Sequence, residues 1–338
     1  MLVNDMKSIM LCNSRANAER VYAPETLQLL EEIAGLNKEI YDKQAVMEHP
    51  ERFRNTQYVF STWGMPVFTE EEIRSVFPKL ECVFYGAGSV QAFARPFLNC
   101  GVKVFSAWGA NGVPVAEYTV AQIILANKGF FATSRLHSSG NVKESRKISD
   151  KYPGNFGEFV GIIGAGMIGK MVIQKLKEYR LNVKVFDPFL PDTAAEAMGV
   201  SKCGLEELFS TCMVVSNHLA NNDQTKGMLQ AKHFSSMRPY ATFLNTGRGA
   251  QVVEDDLAQV LKERPDLTAV LDVTYPEPPV EGHAFYQLPN CVLTPHIAGS
   301  SGDEVHRMAE YMAREYQKYV SGEPCTYEVT HKMLETMA

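Results

Sequence analysis

The stretch EFVGIIGAGMIGKMVIQKLKEYRLNVKVFDP, residues 158–188, carries three glycines in G-x-G-x-x-G spacing: Gly164, Gly166 and Gly169. An apolar run precedes these glycines and a helical pattern follows them. A second apolar run then ends at Asp187, 18 residues after the last glycine. Glycine-rich turns are common, and one reading of this turn is a packing turn without a ligand. The order of strand, glycine turn, helix, strand and acidic residue is, however, typical of a dinucleotide-binding unit.

The chemistry of this unit predicts its cofactor. The first glycine permits the tight turn, the second lets the backbone approach a pyrophosphate, and the third lets the helix pack closely on the strand. The helix N terminus, which includes Met167 and Ile168, offers free N–H groups and the positive end of its dipole to phosphate. Asp187 would accept a hydrogen bond from the ribose 2′-hydroxyl and would repel a 2′-phosphate. We therefore expect NAD rather than NADP.

The alternation of strand and helix patterns extends over the rest of the chain. The short runs are apolar throughout, which predicts strands buried on both faces of a parallel sheet. Longer segments between them, such as 167–180 and 253–264, repeat apolar residues at helical spacing. The predicted strands lie at 7–12, 57–62, 80–86, 102–107, 159–164, 183–187, 213–219, 241–246, 268–273 and 291–297. The sequence thus predicts an α/β protein with two doubly wound parallel sheets.

Small and turn-forming residues in AWGANGVP indicate a domain boundary near Gly109–Val113. The polar stretch at 138–155 is interpreted as a surface connection before the second sheet. The C-terminal helical pattern at 301–320 has no place beside the completed second sheet, so we expect it to cross back and cover the first domain. The predicted domains are 1–112 with 300–338, and 113–299.

Composition limits the classes of function. The chain has 338 residues, of which 45% are hydrophobic, and this is enough for two separate cores. A net charge of −6 argues against nucleic acid or an anionic membrane as a partner. Asn4, Asp5 and Lys7 interrupt the N-terminal apolar residues, so we do not expect a leader in the form of a signal peptide. No apolar run approaches the roughly 20 residues of a membrane span. Seven cysteines without C-x-x-C spacing predict free thiols and no metal site. We expect a cytoplasmic protein.

Charged residues follow three of the second-domain strands, at the edge where a doubly wound sheet binds its ligand. Arg248 follows the run at 241–246, Glu277 follows the run at 268–273, and His296 follows CVLTP. Any one of them alone would be read as a solvated loop charge. Three such residues on one edge, beside a dinucleotide-binding unit, predict a catalytic set.

The set suits hydride transfer at a carbon that bears oxygen. The forked guanidinium of Arg248 can bind a substrate carboxylate through two hydrogen bonds and polarise the adjacent carbonyl. The imidazole of His296 can act as a base in oxidation and as an acid in reduction near neutral pH. A carboxylate at Glu277 would orient that imidazole and favour its protonated form.

Six stretches resemble the D-isomer-specific 2-hydroxyacid dehydrogenases: GIIGAGMIG, FLNTGRGAQVVEDDLAQVL, AVLDVTYPEPP, LPNCVLTPHIAG, VFYGAG and VPVAEYTVAQIILA. The resemblance implies a Rossmann NAD-binding domain inserted into a flavodoxin-like substrate domain, and a small 2-keto or 2-hydroxy acid as substrate. It also implies a homodimer with the helix of VPVAEYTVAQIILA at the interface. The family's catalytic Arg, Glu and His fall on Arg248, Glu277 and His296.

The resemblance also assigns binding residues. The backbone N–H groups of Gly86, Ala87 and Gly88 would bind the substrate carboxylate, together with Arg248 and His296, and Asp272 would contact the nicotinamide carboxamide. The full set of expected cofactor contacts is Gly164, Gly166, Met167, Ile168, Gly169, Asp187, His218, Thr225, Thr246, Gly247, Asp272 and Gly299.

The chain departs from the family pattern at three places. The family often has Val-Asp where this chain has Ser89–Val90, Pro where it has Ala220, and Asn-Thr-Pro-Gly where it has Ser106–Gly109. The two tryptophans, Trp63 and Trp108, either line a substrate mouth that favours a bulky 2-keto acid or belong to the core or a dimer interface.

Two other functions share these motifs. Formate dehydrogenases have the same fold but carry Gln where this chain has Glu277, because formate has no hydroxyl proton to transfer. The C-terminal-binding corepressors keep the fold, NAD and the catalytic residues but act as protein-binding sensors, and no stretch here resembles their additional tails.

Overall fold

The computed structural model describes residues 6–335. Residues 1–5 and 336–338 lie outside the described part of the chain, and with them Asn4 and Asp5, on which the expectation about a leader partly depends.

The chain divides into two compact units, with breaks after Asn111 and after Gly299. One unit comprises the N-terminal part together with the segment from Ser300 onward, and the other is the segment Gly112–Gly299. These breaks lie within one residue of the boundaries expected from the sequence.

Residues 6–335 contain thirteen strands. They are β1 (Ser8–Leu11), β2 (Leu36–Tyr41), β3 (Tyr58–Ser61), β4 (Cys82–Tyr85), β5 (Lys103–Ser106), β6 (Phe156–Ile163), β7 (Arg180–Phe186), β8 (Ser201–Lys202), β9 (Val214–Asn217), β10 (Thr242–Asn245), β11 (Thr268–Leu271), β12 (Cys291–Leu293) and β13 (Glu328–Val329). Each of the ten predicted segments overlaps one of these strands. The pattern does not predict β2, β8 and β13, because β2 has exposed polar residues in its middle and the other two have only two residues each.

The same residues contain fourteen α-helices. They are α1 (Arg15–Val21), α2 (Pro24–Ala34), α3 (Lys43–Glu48), α4 (Glu70–Val76), α5 (Ala94–Asn99), α6 (Trp108–Asn127), α7 (Phe130–Ser138), α8 (Val142–Ser149), α9 (Met167–Leu176), α10 (Asp192–Met198), α11 (Leu205–Thr211), α12 (Ala231–Ser235), α13 (Glu254–Glu263) and α14 (His306–Ser321). None of these helices combines the length and the apolar character that crossing a membrane requires. The stretch at 138–155 is not only a connection, since it contains α8, a mostly exposed helix.

The first unit is built on a six-stranded sheet with the order β13-β5-β4-β3-β1-β2. Strands β1 to β5 are parallel, and β13 pairs antiparallel with β5. The order β2-β1-β3-β4-β5 is the flavodoxin-like one. Helix α14 lies in this unit and buries Met308, Met312 and Tyr316 at a spacing of four residues, which places them on one helix face. The Tyr316 ring lies 5.6 Å from that of Phe84 on β4.

The second unit is built on a seven-stranded parallel sheet with the order β12-β11-β10-β9-β6-β7-β8. Successive residues of one strand face opposite core layers: Val215 and Phe243 face one layer, and Val214 and Leu244 the other. Both faces are therefore covered, which explains why these strands are apolar throughout. The strand order reverses between β6 and β9, and a doubly wound sheet binds its ligand outside the carboxyl ends of the strands at such a point.

All seven cysteines lie in the described part of the chain and are free. Burial raises the pKa of the Cys82 and Cys212 thiols to about 12, so these thiols stay protonated and are poor nucleophiles. Within residues 6–335, no cluster of three or more His, Cys, Asp or Glu side chains could hold a metal ion.

Candidate active site

The three glycines of the turn after β6 differ in what surrounds them. Gly164 has φ +89°, and a Cβ there would lie 2.8 Å from the carbonyl oxygen of His218. A Cβ on Gly169 would lie 2.0 Å from the Gly164 oxygen, so only glycine allows α9 to approach the strand this closely. Gly166 is the N-cap of α9, and a Cβ there would meet no atom of the described residues within 4 Å. The turn thus has open space at the helix N terminus, where a phosphate group fits.

Asp187 lies against this turn at the end of β7. Its Oδ2 accepts a hydrogen bond from the N–H of Ala165 at 2.7 Å, and its Oδ1 accepts one from the N–H of Phe189 at 2.8 Å. The turn is also tied to β7 by the N–H of Gly164, which donates to the Phe186 oxygen at 2.8 Å. A carboxylate fixed beside the glycine turn fits a ribose hydroxyl next to the pyrophosphate.

The other expected cofactor residues near this turn make contacts with neighbouring parts of the second unit. The Met167 and Ile168 side chains pack toward Gly112 in α6. The backbone N–H of His218 donates to the Ile163 carbonyl oxygen at 2.7 Å. Burial lowers the pKa of the His218 imidazole to about 4, so the ring is neutral at pH 7. The Thr225 hydroxyl donates to the Ala220 oxygen at 2.6 Å and so closes the loop after β9.

Arg248 lies on a tight turn after β10. A Cβ on the next residue, Gly249, would lie 2.0 Å from the carbonyl carbon of Thr274, so the backbone of this turn packs directly on the loop after β11. The Arg248 side chain is exposed, and its Nη1 donates to the Gly247 oxygen at 2.8 Å. Before the turn, the Thr246 hydroxyl is buried and lies 3.2 Å from the Thr119 hydroxyl in α6.

Glu277 and His296 form a hydrogen-bonded pair. The two side chains come from the loops after the adjacent strands β11 and β12, and His296 Nδ1 lies 2.7 Å from Glu277 Oε1. The His296 side chain is 46% exposed and the Glu277 side chain is 40% exposed, so both remain accessible. Because Nδ1 is engaged with the carboxylate, Nε2 is the ring atom that can meet a substrate.

Asp272 explains the conformation of the His296 loop. Its buried carboxylate accepts hydrogen bonds from the N–H of Ile297 at 2.8 Å, the N–H of Ala298 at 2.9 Å and the hydroxyl of Thr294 at 2.6 Å. Successive N–H groups converging on one carboxylate form an anion-binding nest. This nest holds His296 at φ +55°, a conformation that non-glycine residues rarely adopt. The resemblance implies a cofactor contact for Asp272, and the bonds observed here show that it also positions the loop that carries His296, which ends at the partly buried Gly299.

The expected substrate loop, Gly86–Gly88, lies in the first unit after β4. The Thr62 hydroxyl donates to the Gly86 oxygen at 2.8 Å. The single Ser106 hydroxyl proton is shared between the Gly88 oxygen and the Ala87 oxygen, which lies 2.9 Å away and also accepts from the N–H of Ala107. The N–H groups of Gly86 and Ala87 donate to the oxygens of Ser61 at 2.7 Å and Tyr85 at 2.9 Å, and Gly88 itself is partly exposed.

Both tryptophans pack against the core of the first unit. The Trp108 ring lies edge-on to Tyr327 at 5.2 Å, and the Arg20 guanidinium lies 5.8 Å from the Trp63 ring centroid. These contacts agree with the core interpretation of the two residues.

The sequence-based prediction misses two groups of polar residues near the candidate catalytic residues, one buried and one largely buried. The first is a cluster of three side-chain amides, Asn217, Asn245 and Gln251, called the amide cluster below. The second is a pair in which Glu254 Oε2 lies 3.6 Å from His283 Nε2, called the Glu254–His283 pair. Asn217 carries a signal in the sequence, because it interrupts an apolar strand. Glu254 carries none, because an acidic residue in the first turn of a helix is common.

The Glu254–His283 pair lies behind the loop that carries Glu277. Glu254 Oε1 accepts a hydrogen bond from the N–H of Tyr275 at 2.8 Å, and within the described residues its buried Oε2 has no hydrogen-bond partner. His283 Nδ1 accepts from the N–H of Phe285 at 3.2 Å, so the proton of this ring lies on Nε2, which faces Glu254. Burial raises the pKa of Glu254 to about 7.

Comparison with known proteins supports the same family. The model of the D-isomer specific 2-hydroxyacid dehydrogenase NAD-binding domain matches residues 120–298, more than half of the chain. YoaD of Bacillus subtilis, which is named as a 2-hydroxyacid dehydrogenase, is 33% identical over 205 residues, covering 60% of this chain and 59% of YoaD. D-3-phosphoglycerate dehydrogenase of Archaeoglobus fulgidus is 28% identical over 237 residues, covering 70% of this chain and 44% of that protein. The chain thus matches about half the length of these curated relatives.

Among solved structures, a phosphoglycerate oxidoreductase from Rhizobium etli has a TM-score of 0.79 at 19% identity, over 97% of this chain and 99% of that one. This likeness shows the shared fold. Taken with the family match, it leads to one conclusion: the chain belongs to the D-isomer specific 2-hydroxyacid dehydrogenase family.

Proposed function

We propose that this chain is an NAD-dependent D-2-hydroxyacid dehydrogenase, which reduces small 2-keto acids and oxidises the corresponding 2-hydroxy acids. The observation that carries the proposal is the 2.7 Å hydrogen bond between His296 Nδ1 and Glu277 Oε1. The pair lies on the sheet edge that also carries Arg248 and the glycine turn. An acid–base pair is needed where a hydroxyl proton is transferred, which supports this reaction over oxidation of formate.

His296 moves the proton. In reduction, protonated Nε2 donates its proton to the substrate carbonyl oxygen, and in oxidation neutral Nε2 removes the proton of the hydroxyl. Glu277 holds the ring in orientation and stabilises its charged form. The Asp272 nest fixes the backbone on which His296 stands, so the imidazole keeps its place during proton transfer.

Arg248 binds the substrate carboxylate and polarises its carbonyl. One of its N–H groups is engaged by the Gly247 oxygen, and the guanidinium has four others for the substrate. In the first unit, we assign carboxylate binding to the N–H group of Gly88, because those of Gly86 and Ala87 donate to the oxygens of Ser61 and Tyr85. The Thr62 hydroxyl binds the Gly86 oxygen and the Ser106 hydroxyl contacts those of Ala87 and Gly88, which fixes the loop around this group.

The cofactor is held by the turn and loops of the second unit. Gly164, Gly166, Gly169 and the first turn of α9 receive the pyrophosphate, and Asp187 binds the ribose and disfavours a 2′-phosphate. The remaining contacts come from the strand ends, at His218, Thr225, Thr246, Gly247, Asp272 and Gly299. When bound, the nicotinamide supplies the hydride in reduction and accepts it in oxidation.

A panel of 2-keto acids, including glyoxylate, hydroxypyruvate, pyruvate and a bulkier aromatic analogue, tests the proposal with NADH and with NADPH. We expect NADH oxidation with at least one of these acids, and a product of D configuration on chiral chromatography. Formate with NAD is the comparison reaction and should give no NADH. Tight NADH binding without turnover of any acid would instead support a corepressor-like sensor.

One substitution tests the preference for NADH over NADPH. Asp187→Ala should narrow the preference for NADH over NADPH, by about tenfold if the carboxylate repels the 2′-phosphate. A wild-type protein that prefers NADPH would contradict this assignment.

The proposal includes a cytoplasmic homodimer with α6 at the interface, as the family resemblance implies. Sedimentation of the purified chain measures the oligomeric state, and a monomer at micromolar concentration would contradict it.

A further inference from the structure

The Gln251 side chain connects two loops on the sheet edge of the second unit. Its Nε2 donates to the carbonyl oxygens of Leu219 at 2.7 Å and Ala220 at 3.0 Å, in the loop after β9. Its Oε1 accepts a hydrogen bond from the backbone N–H of Arg248 at 3.3 Å, in the turn after β10. Gln251 itself is fully buried, so water does not compete for these bonds.

The other two members of the amide cluster complete the hold on Arg248. Asn217 Nδ2 donates to Gln251 Oε1 at 2.6 Å and to Asn245 Oδ1 at 3.0 Å. Asn245 Nδ2 donates to the carbonyl oxygen of Arg248 at 3.1 Å. Both backbone polar groups of Arg248 are therefore bound by buried side-chain amides. An apolar side chain could fill the same space, but it would not fix the direction of the backbone.

The loop after β9 needs such a hold. Residues 220–224 are exposed, and Ala220 stands where the family often has proline, which would fix φ at this position. In this chain, the carbonyl of Ala220 is instead bound by Gln251 and by the Thr225 hydroxyl. The loop belongs to the expected cofactor-binding residues, through His218 and Thr225.

We propose that Gln251 is a positioning residue that couples the cofactor-side loop 218–225 to the backbone of the substrate-binding Arg248. This inference rests on the proposed function, since it assigns Gln251 to the same reaction. Gln251 touches neither reactant in this role; it acts through Arg248 and through the loop.

Q251L tests the proposal, with Q251M as a second variant that keeps the length of the side chain. The matched control is Q259L, because Gln259 lies on the exposed face of α13 and its amide donates to Glu263. We expect Q251L to lower kcat/KM for the best 2-keto acid by about tenfold or more and to weaken NADH binding, because small displacements of a binding group are costly. Q259L should change neither value.

A double-mutant cycle separates positioning from general stability. At saturating NADH, which removes the effect of weaker cofactor binding, adding Q251L to R248K should lower kcat/KM for the 2-keto acid less than about twofold, since the correctly placed guanidinium is already lost. Equal losses in the wild-type and R248K backgrounds would indicate a merely structural role and would overturn the proposal. Thermal midpoints of all variants show which of them are folded at the assay temperature.

Hydrogen exchange provides a readout that does not need turnover. Faster exchange of the amides in 218–225 and at the Arg248 turn in Q251L or Q251M, but not in Q259L, supports the coupling. Unchanged exchange would overturn it. A wild-type protein that reduces no 2-keto acid would contradict the proposed function, whereas an active wild type with an equally active Q251L would contradict only this inference.

Discussion

The two sides of the candidate catalytic set are supported by different chemistry. The His296 side depends on carboxylates: Asp272 binds the backbone after His296, and Glu254 binds the backbone before Glu277. The Arg248 side depends on the neutral amides of the amide cluster. Both supports are buried and both hold a loop at the end of a parallel strand, so the difference lies in charge and not in architecture.

This difference has a physical consequence. Burial raises the pKa of Glu254 to about 7, so this part of the support of the His296 side can change its charge near neutral pH. A side-chain amide does not ionise in the same pH range, so the support of Arg248 keeps its charge. We expect proton transfer, but not substrate binding by Arg248, to carry the pH dependence of the reaction.

The largest effect is expected for His296→Ala. Turnover should fall about 1000-fold, because no acid remains to protonate the carbonyl oxygen, while NADH still binds. Reduction consumes a proton that His296 supplies, so the wild-type rate should fall as pH rises, and the residual rate of the variant should lack this decline. The measurement is kcat between about pH 6 and pH 9. An unchanged rate would refute the assignment of His296.

Arg248→Ala should mainly affect binding of the 2-keto acid. We expect KM for the 2-keto acid to rise about 100-fold, because the forked bond to the carboxylate is lost, together with a fall in kcat from the unpolarised carbonyl. The relative decline of rate with pH should match that of the wild type. Arg248→Lys should recover only part of the loss, because a lysine cannot donate two parallel bonds. A change in the shape of the pH profile would contradict the separation of the two sides.

Asp272→Asn tests the nest directly, with a smaller effect. The side-chain volume is kept, but an NH₂ group replaces one acceptor oxygen opposite the N–H groups of Ile297 and Ala298. We expect kcat to fall about tenfold because His296 is less well held, with KM nearly unchanged. Faster hydrogen exchange at 296–298 would locate the change. A rise in KM without a fall in kcat would place the role of Asp272 elsewhere.

The elements that depend on the local pattern of apolar residues could be predicted from the sequence. Ten strands were predicted from apolar runs, because a strand covered on both faces must be apolar throughout. The pair Glu277 and His296 was predicted because both residues follow such runs, and parallel strands end at one edge. Strand β2 was not predicted because it is an edge strand with a partly buried Asn37 and exposed Lys38 and Glu39 in its middle.

The residues that support the candidate catalytic side chains could not be predicted in this way. The family resemblance marks Asp272 as a cofactor contact, but nothing in the sequence indicates that its carboxylate also bonds Ile297 and Ala298, residues 25 and 26 positions away. Gln251 and Leu219 are joined across 32 positions. Which partner a buried polar side chain selects depends on how neighbouring loops pack, and neither spacing nor hydrophobic pattern contains that information.

The smallest effect is expected for Glu254→Gln, and it appears in stability. Burial raises the pKa of Glu254 to about 7, above the usual range of a glutamate, so between these values the folded protein holds a proton that the unfolded chain has released. The stability of the wild type should therefore fall as pH rises from about 5 to about 8, by on the order of 2 kcal/mol from this group. Glutamine keeps the acceptor for the N–H of Tyr275 and does not ionise.

The thermal midpoint of Glu254→Gln relative to the wild type should therefore rise with pH over this window. Asp255→Asn, an exposed acid in the same helical turn, is the matched control and should show no such trend. If the difference in thermal midpoint between Glu254→Gln and the wild type stays constant over this window, Glu254 has the same pKa in the folded and unfolded chains. The carboxylate support would then be as insensitive to pH as the amide cluster, and the contrast between the two sides would rest on His296 and Glu277 alone.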